Sequence, residues 1–81
     1  MKVRVRFFGA PREGLGRREI EQELPPGSTV RELMNLLTEE HPVLLSYSRL
    51  INIAVNRKYA ALETELHEGD EVACLPPVGG G

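Results

Sequence analysis

One segment of the chain has the periodicity of a long helix, and it limits the fold to strands packed on a single helix. Its start is marked by Thr29 and Glu32, which are spaced to form a capping box in which each side chain accepts from the other's backbone amide. Pro42 ends the segment at or before His41. The apolar residues at helical spacing are Val30, Leu33, Met34 and Leu37. With one helix in 81 residues, every predicted strand has to bury its apolar side against that helix.

Two segments before the helix alternate polar and apolar residues at period two, which predicts a β-hairpin over residues 2–8 and 18–24. The intervening residues 9–17 contain three glycines and Pro11, and we predict a loop there. Opposite charges directly across an antiparallel pair contribute about 0.2–1 kcal/mol each, so they favour this pairing. The inward residues are Val3, Val5, Phe7, Ile20 and Leu24, together with the polar Gln22, and the outward ones are Lys2, Arg4, Arg6, Glu19, Glu21 and Glu23.

The chain after the helix predicts three further strands. Residues 51–55 alternate again, Asn56-Arg57 forms a turn, residues 58–60 form a short strand and residues 71–75 form the last one. Leu62 and Leu66 are predicted anchors in the core, and residues 44–50 are a loop or short turn over one end of it. This order predicts an α+β fold of the β-grasp type: a mixed sheet of four to five strands around one main helix. The last strand lies beside the first, parallel to it, at the centre of the sheet.

The last six residues have a composition suited to a slender, extended segment. Pro76 and Pro77 have a fixed φ and no N–H, so they cannot continue a strand. Val78 is followed by Gly79, Gly80 and Gly81, and such a segment reaches at most roughly 20 Å. A terminal carboxylate is ionised at neutral pH. We therefore predict a β-grasp domain over residues 1–75 and a flexible tail over residues 76–81, thin enough to enter a channel too narrow for side chains.

Alternation also predicts an apolar surface close to the start of that tail. If Val72 and Cys74 face the core, Ala73 and Leu75 face outward from the last strand. Phe8 and Ala54 face outward from the strands on either side of it. A clustered apolar patch on a small protein marks a binding surface more often than scattered apolar residues do. The predicted patch consists of Phe8, Ala54, Ala73 and Leu75.

Composition argues against several classes of function. The formal net charge of −2 does not fit a nucleic-acid-binding protein. One cysteine and two histidines cannot form a zinc site of the usual Cys/His kind, and Cys74 is predicted to be a core residue. No signal peptide or membrane-spanning run is visible, so we predict a cytoplasmic protein without membrane contact. No Ser/His/Asp or Cys/His arrangement is present, which predicts that the chain has no catalytic site of its own.

The sequence resembles the small subunit of molybdopterin synthase, the MoaD family, over essentially its whole length. The most specific similarity is Gly69-Asp70-Glu71-Val72 leading into Pro76-Pro77-Val78 and Gly80-Gly81. Two departures from the family pattern are Gly79, where another small residue is usual, and Pro11. The other segments that carry the resemblance are Phe7-Phe8-Gly9 with Arg12-Glu13 and Gly16, Leu24-Pro25-Pro26-Gly27-Ser28-Thr29-Val30 with Glu32-Leu33, and Ile51-Asn52-Ile53-Ala54-Val55-Asn56 with Tyr59-Ala60.

The resemblance implies a ubiquitin-like sulfur carrier that acts as the non-catalytic subunit of a sulfurtransferase complex. Gly81 would be adenylated by an E1-like (MoeB-like) activating enzyme that uses ATP, and then thiocarboxylated with sulfur from a donor such as a cysteine desulfurase. The tail, Pro76 to Gly80, would insert into a MoaE-like large subunit, where a pyranopterin precursor of the molybdenum cofactor receives the sulfur. The family docks on that subunit through residues corresponding to Phe8, Tyr59 and Leu75. No cofactor or metal is expected on this chain itself.

Three other functions fit parts of the same pattern. A sulfur carrier for thiazole or tRNA thiolation would use the same chemistry with another acceptor. A ubiquitin-like modifier would instead be conjugated to lysines of other proteins. The third alternative is a β-grasp interaction domain whose tail has no chemical role.

Overall fold

The computed structural model describes residues 1–46 and 52–75 as one sheet packed on one main helix. The sheet has the strand order β2-β1-β5-β3-β4 and is mixed, which confirms the predicted ubiquitin-like β-grasp fold. Predictions for Tyr47, Leu50, Ile51 and the tail 76–81 lie outside the described residues. The elements in chain order are β1 (Lys2–Phe7), α1 (Ala10–Leu15), β2 (Glu19–Glu23), α2 (Val30–Glu40), a 3₁₀-helix (Pro42–Ser46), β3 (Asn52–Val55), β4 (Lys58–Tyr59) and β5 (Glu71–Leu75).

The β1–β2 hairpin has the register that the charges predict. Arg4 pairs with Glu21 and Arg6 with Glu19, so opposite charges face each other across the two strands. Glu19 Oε1 lies 3.8 Å from Arg4 Nε and 3.9 Å from Arg6 Nε. These side chains are largely exposed, so each pair contributes at most about 1 kcal/mol. A one-residue shift would break these pairs and turn the apolar side chains of the shifted strand to the opposite face of the sheet, so such a shift is disfavoured.

Strand β5 occupies the centre of the sheet, where it was predicted. It runs parallel to β1 and antiparallel to β3, so both of its edges are hydrogen-bonded. Cys74 pairs with Phe7 on one side and Ile53 on the other, and all three side chains point into the core. The buried core cluster comprises Val3, Val5, Phe7, Leu24, Val30, Leu33, Leu37, Leu44, Ile53, Leu66, Val72 and Cys74.

Helix α2 begins with the predicted capping box. Thr29 Oγ1 accepts a hydrogen bond from the Glu32 amide at 3.3 Å, and Glu32 Oε1 accepts one from the Thr29 amide at 3.0 Å. An N-cap of this kind stabilises a helix by about 1 kcal/mol. The helix ends at Glu40, followed by His41, whose amide donates to the Leu37 carbonyl at 2.8 Å. Both predicted ends of the helix are confirmed.

Two predictions about the fold were wrong. Residues 9–17 are not simply a loop, because residues 10–15 form α1: Pro11 lies in its first turn, where its missing N–H costs nothing, and Gly16 caps its end with a left-handed φ of 75°. Leu62 is not a core anchor, since it is 43% exposed, whereas Leu66 is fully buried.

The predicted short turn after α2 is the 3₁₀-helix, which contributes Leu44 to the core. No helix within residues 1–46 and 52–75 is long and apolar enough to cross a bilayer.

Candidate docking groove at the end of β5

Four residues form a row across the outer face of the sheet, on the side opposite α2. The strand registers place Arg6 of β1 beside Ala73 of β5, Ala73 beside Ala54 of β3, and Ala54 beside Tyr59 of β4. The two alanines in the middle carry only a methyl group, while the residues at the two ends are long. The row therefore has a low centre between two raised ends.

This low centre is the floor of a groove of about 310 Å³. All five residues predicted to form a partner surface line this groove. Alternation predicts Phe8, Ala54, Ala73 and Leu75, and the resemblance adds Tyr59. Tyr59 is 70% exposed, whereas Ala54 is only 6% exposed, so the prediction of Ala54 as part of an exposed patch was wrong in that detail. Its neighbours cover it, and it contributes to the floor instead. The residues lining the groove are Arg6, Phe8, Ala54, Arg57, Tyr59, Glu71, Ala73 and Leu75.

Three of these residues are charged, and alternation alone did not identify them as part of the surface. Arg6 contacts two carboxylates: its Nη1 lies 3.7 Å from Glu71 Oε1 and its Nε lies 3.9 Å from Glu19 Oε1. The Arg6 guanidinium carbon also lies 5.4 Å from the centroid of the Phe8 ring, within range of a cation–π interaction. Arg57, by contrast, forms no ion pair with any residue in the described part of the chain.

Arg57 reaches the groove from the two-residue turn that joins β3 to β4. Asn56 and Arg57 have φ values of 50° and 70°, as in the type I′ turn that suits the twist of a hairpin. The Asn56 side chain fixes this turn, because its Oδ1 accepts from the Glu71 amide at 3.0 Å and its Nδ2 donates to Asp70. Alternation of polar and apolar residues does not predict that Arg57 lines the groove, because its position depends on the geometry of this turn.

The structure bears on two kinds of reactive centre, a cysteine nucleophile and a metal site. Burial raises the pKa of the Cys74 thiol to about 12, so it is not a nucleophile at neutral pH. Within residues 1–46 and 52–75, no group of three His, Cys, Asp or Glu side chains could hold a metal ion. The groove is largely apolar, as a surface that docks another protein is, and its Glu71 carboxylate lies 3.7 Å from Arg6 Nη1. The predicted site residues Pro76 to Gly81 lie beyond the described residues.

The sequence model of the ThiS family matches residues 5–81. The chain belongs to the ThiS family. One relative of this ThiS-family chain is the molybdopterin synthase sulfur carrier subunit of Mycobacterium tuberculosis, 39% identical, with 100% of this chain and 99% of that protein covered. The predicted resemblance to the small subunits of molybdopterin synthase is thereby confirmed.

Two solved structures similar to this ThiS-family chain are a small archaeal modifier protein and a subunit of a molybdopterin-converting factor. SAMP1 of Haloferax volcanii, a small archaeal modifier protein, is 30% identical with a TM-score of 0.86, and both chains are covered completely. The complex of subunits 1 and 2 of the molybdopterin-converting factor from Helicobacter pylori contains a chain that is 32% identical. Its TM-score is 0.75, again with both chains covered completely.

Proposed function

We propose that this chain is the sulfur-carrier small subunit of a molybdopterin synthase, and that Gly81 carries the sulfur. The observation that carries the proposal is the position of the groove. Leu75 lines the groove and is also the last residue of β5, so the segment 76–81 starts at the groove's edge. A partner seated in the groove therefore lies next to the start of that segment, whose six residues span at most roughly 20 Å.

The proposed chemistry begins by converting a poor electrophile into a good one. An oxygen of the Gly81 carboxylate attacks the α-phosphorus of ATP on an activating enzyme, and pyrophosphate leaves. A sulfur nucleophile at the oxidation level of sulfide then attacks the acyl carbon, and AMP leaves, so that a thiocarboxylate remains. The thiocarboxylate sulfur then attacks a carbon of the pyranopterin precursor, from which an oxygen leaves, and water cleaves the acyl–sulfur bond, so that the sulfur stays on the pterin and the Gly81 carboxylate is restored. This chain supplies the acyl group, while ATP binding belongs to the activating enzyme.

The proposed partners are a MoaE-like large subunit, an E1-like adenylating enzyme and a sulfur donor such as a cysteine desulfurase. The large subunit is supported by the Helicobacter pylori complex, in which subunit 1 and subunit 2 of the molybdopterin-converting factor are assembled together. The groove supports it as well, because its apolar floor and its aromatic residues Phe8 and Tyr59 are of the type found at the centres of protein interfaces.

The alternative of a protein modifier has support from the similarity to SAMP1. The two functions share the activation of a terminal glycine and differ in the acceptor. A carrier returns to the free carboxylate after it has lost its sulfur, whereas a modifier remains bound to a lysine through an isopeptide bond. The higher identity to a synthase subunit, 39% against 30%, favours the carrier.

The test is the intact mass of the purified chain after incubation with ATP, an E1-like activating enzyme and a sulfide source. The expected result is the exchange of one oxygen for sulfur, followed by loss of the sulfur when the large subunit and the pterin precursor are added. Failure to exchange oxygen for sulfur would contradict a carrier function of either kind. Sulfur loading without transfer to the pterin would point to a thiazole or tRNA acceptor, and isopeptide adducts would point to the modifier.

A further inference from the structure

Arg57 occupies a backbone conformation that does not suit its side chain. Among the described residues other than glycine, only Asn56 and Arg57 have a positive φ. Asparagine tolerates this region, whereas in most other residues the Cβ atom comes too close to the backbone carbonyl, and glycine is the usual second residue of such a turn. A residue held at a disfavoured φ where glycine would fit better indicates that its side chain has a role.

Arg57 also has no ion-pair partner among residues 1–46 and 52–75. The other arginine on the groove, Arg6, already contacts the carboxylates of Glu19 and Glu71. Arg57 contacts no carboxylate in the part of the chain that the structure describes, even though the chain as a whole carries a net charge of −2. As far as the described residues go, Arg57 therefore places an unpaired positive charge at the end of the groove formed by the β3–β4 hairpin.

The surroundings of Arg57 make a carboxylate its best complement. It borders a groove whose floor is Ala54 and Ala73 and whose adjoining residue is Tyr59. When a partner covers such a surface, water is removed from the guanidinium, and the lost hydration has to be replaced. A carboxylate does this best, because it can accept two parallel hydrogen bonds from one guanidinium.

We propose that Arg57 is the residue that orients and selects the partner on this groove, by binding a carboxylate of the large synthase subunit while an apolar side chain of the same subunit covers Ala54 and Ala73. The identity of the partner rests on the proposed function. The charged contact fixes the orientation that an apolar groove alone leaves open, since apolar contacts have little directionality.

Lys58 provides a matched control within the same hairpin. It is the next residue along the chain and has the same charge, but it pairs with Val55 rather than with Ala54. Side chains alternate along a strand, so Lys58 lies on the opposite face of the hairpin from Tyr59, and it does not line the groove. A charge change at Lys58 alters the field near the hairpin without touching the proposed contact.

The experiment measures the dissociation constant of the complete chain with the purified large subunit by calorimetry, at low and at high salt. The variants are Arg57→Glu, Lys58→Glu and Arg57→Gly. Glycine suits the positive φ at residue 57, so Arg57→Gly removes the side chain without endangering the fold. We expect Arg57→Glu and Arg57→Gly to weaken binding roughly tenfold to hundredfold, as for a lost hydrogen-bonded charge, and to reduce its salt dependence. Lys58→Glu should change it less than about threefold.

The outcomes separate this inference from the proposed function. If the unaltered chain binds the large subunit and Arg57→Gly binds it with the same dissociation constant, the role of Arg57 is overturned and the proposed function stays intact. Equal effects of Arg57→Glu and Lys58→Glu would also overturn it, because they would indicate a general electrostatic attraction. If the unaltered chain does not bind the large subunit, the proposed function and this inference are both wrong.

Discussion

Asn56 Nδ2 donates a hydrogen bond to Asp70 Oδ1 at 2.9 Å, and this bond joins the β3–β4 turn to the turn that precedes β5. The other carboxylate oxygen of Asp70 accepts from the His67 amide at 2.8 Å. One carboxylate thus holds its own turn and the neighbouring one. Because Arg57 lies in the β3–β4 turn, its position in the groove depends on the bond from Asn56 to Asp70, which lies outside the groove.

Replacing Asn56 should destabilise the domain. Asn56→Ala removes the bonds to Asp70 and to the Glu71 amide, each of which contributes roughly 0.5–1.5 kcal/mol. It also places alanine at a φ of 50°, which costs about 1–2 kcal/mol. Urea unfolding should show a total loss of roughly 2–5 kcal/mol. The matched variant Asn56→Gly keeps the backbone conformation and should lose less, and an unchanged stability for Asn56→Ala would contradict the role of these bonds.

Cys74 should make stability depend on pH in the alkaline range. Burial raises the pKa of its thiol from 9.0 to about 12, so between these values the unfolded chain releases a proton that the folded chain keeps. Ionisation therefore favours unfolding, and the contribution of the thiol is complete below pH 9 and declines above it by about 1.4 kcal/mol per pH unit. The free energy of unfolding should fall more steeply above pH 9 for the unaltered chain than for Cys74→Ala, and parallel curves would contradict this.

The same variant tests whether Cys74 takes part in sulfur chemistry. Its thiol is fully buried among core side chains, so we expect Cys74→Ala to lose roughly 1–2 kcal/mol of stability through the missing contacts. Sulfur loading and transfer, measured by intact mass and product formation, should continue at the rate of the unaltered chain. A folded Cys74→Ala protein without transfer activity would show that the thiol has a chemical role.

A charge introduced into the groove should weaken binding to the large subunit. Phe8→Glu and Leu75→Glu each place a carboxylate in an apolar contact, and we expect the dissociation constant to rise more than tenfold, as for a residue at the centre of an interface. Val43→Glu is the control, because Val43 is an apolar residue that is 40% exposed but does not line the groove. Similar affinities for the two groove variants and the unaltered chain would place the interface elsewhere.

Deletion of Gly81 should abolish sulfur loading without affecting the fold. The deletion removes the proposed acyl group and leaves Gly80 one residue, or about 3.3–3.6 Å, short of the reacting position. The urea unfolding midpoint should match that of the unaltered chain, because the core residues, Val3 to Cys74, are unchanged. Thiocarboxylate formation on the shortened chain, detected by intact mass, would refute the assignment of Gly81.

Most of the sheet could be predicted because local signals and packing agree there. The outward charges of β1 and β2 define a register in which Arg4 faces Glu21, and the structure has that register. The capping box at Thr29 is likewise a local signal with one physical meaning. The two faces of β5 were predicted correctly because Val72 and Cys74 alternate with more exposed positions, and the structure buries both.

Features that depend on tertiary context were missed. Glycine and proline break helices in their interior, but Pro11 and Gly16 lie at the ends of α1, where the same properties favour a helix. The coverage of Ala54 by larger neighbours on adjacent strands is invisible to alternation, which reports only the face of the sheet. The groove's charge pattern was missed for the same reason, since Arg6 and Glu71 come together only through the parallel pairing of β1 and β5.

The central position of β5 has a mechanical consequence. A partner that pulls on the chain beyond Leu75 along the strand axis loads the hydrogen bonds to β1 and to β3 at the same time, in shear. Bonds loaded in this way share the force, whereas an edge strand peeled from a sheet breaks them one after another. The sheet should therefore resist a pull on the chain after Leu75 better than it would if β5 were an edge strand.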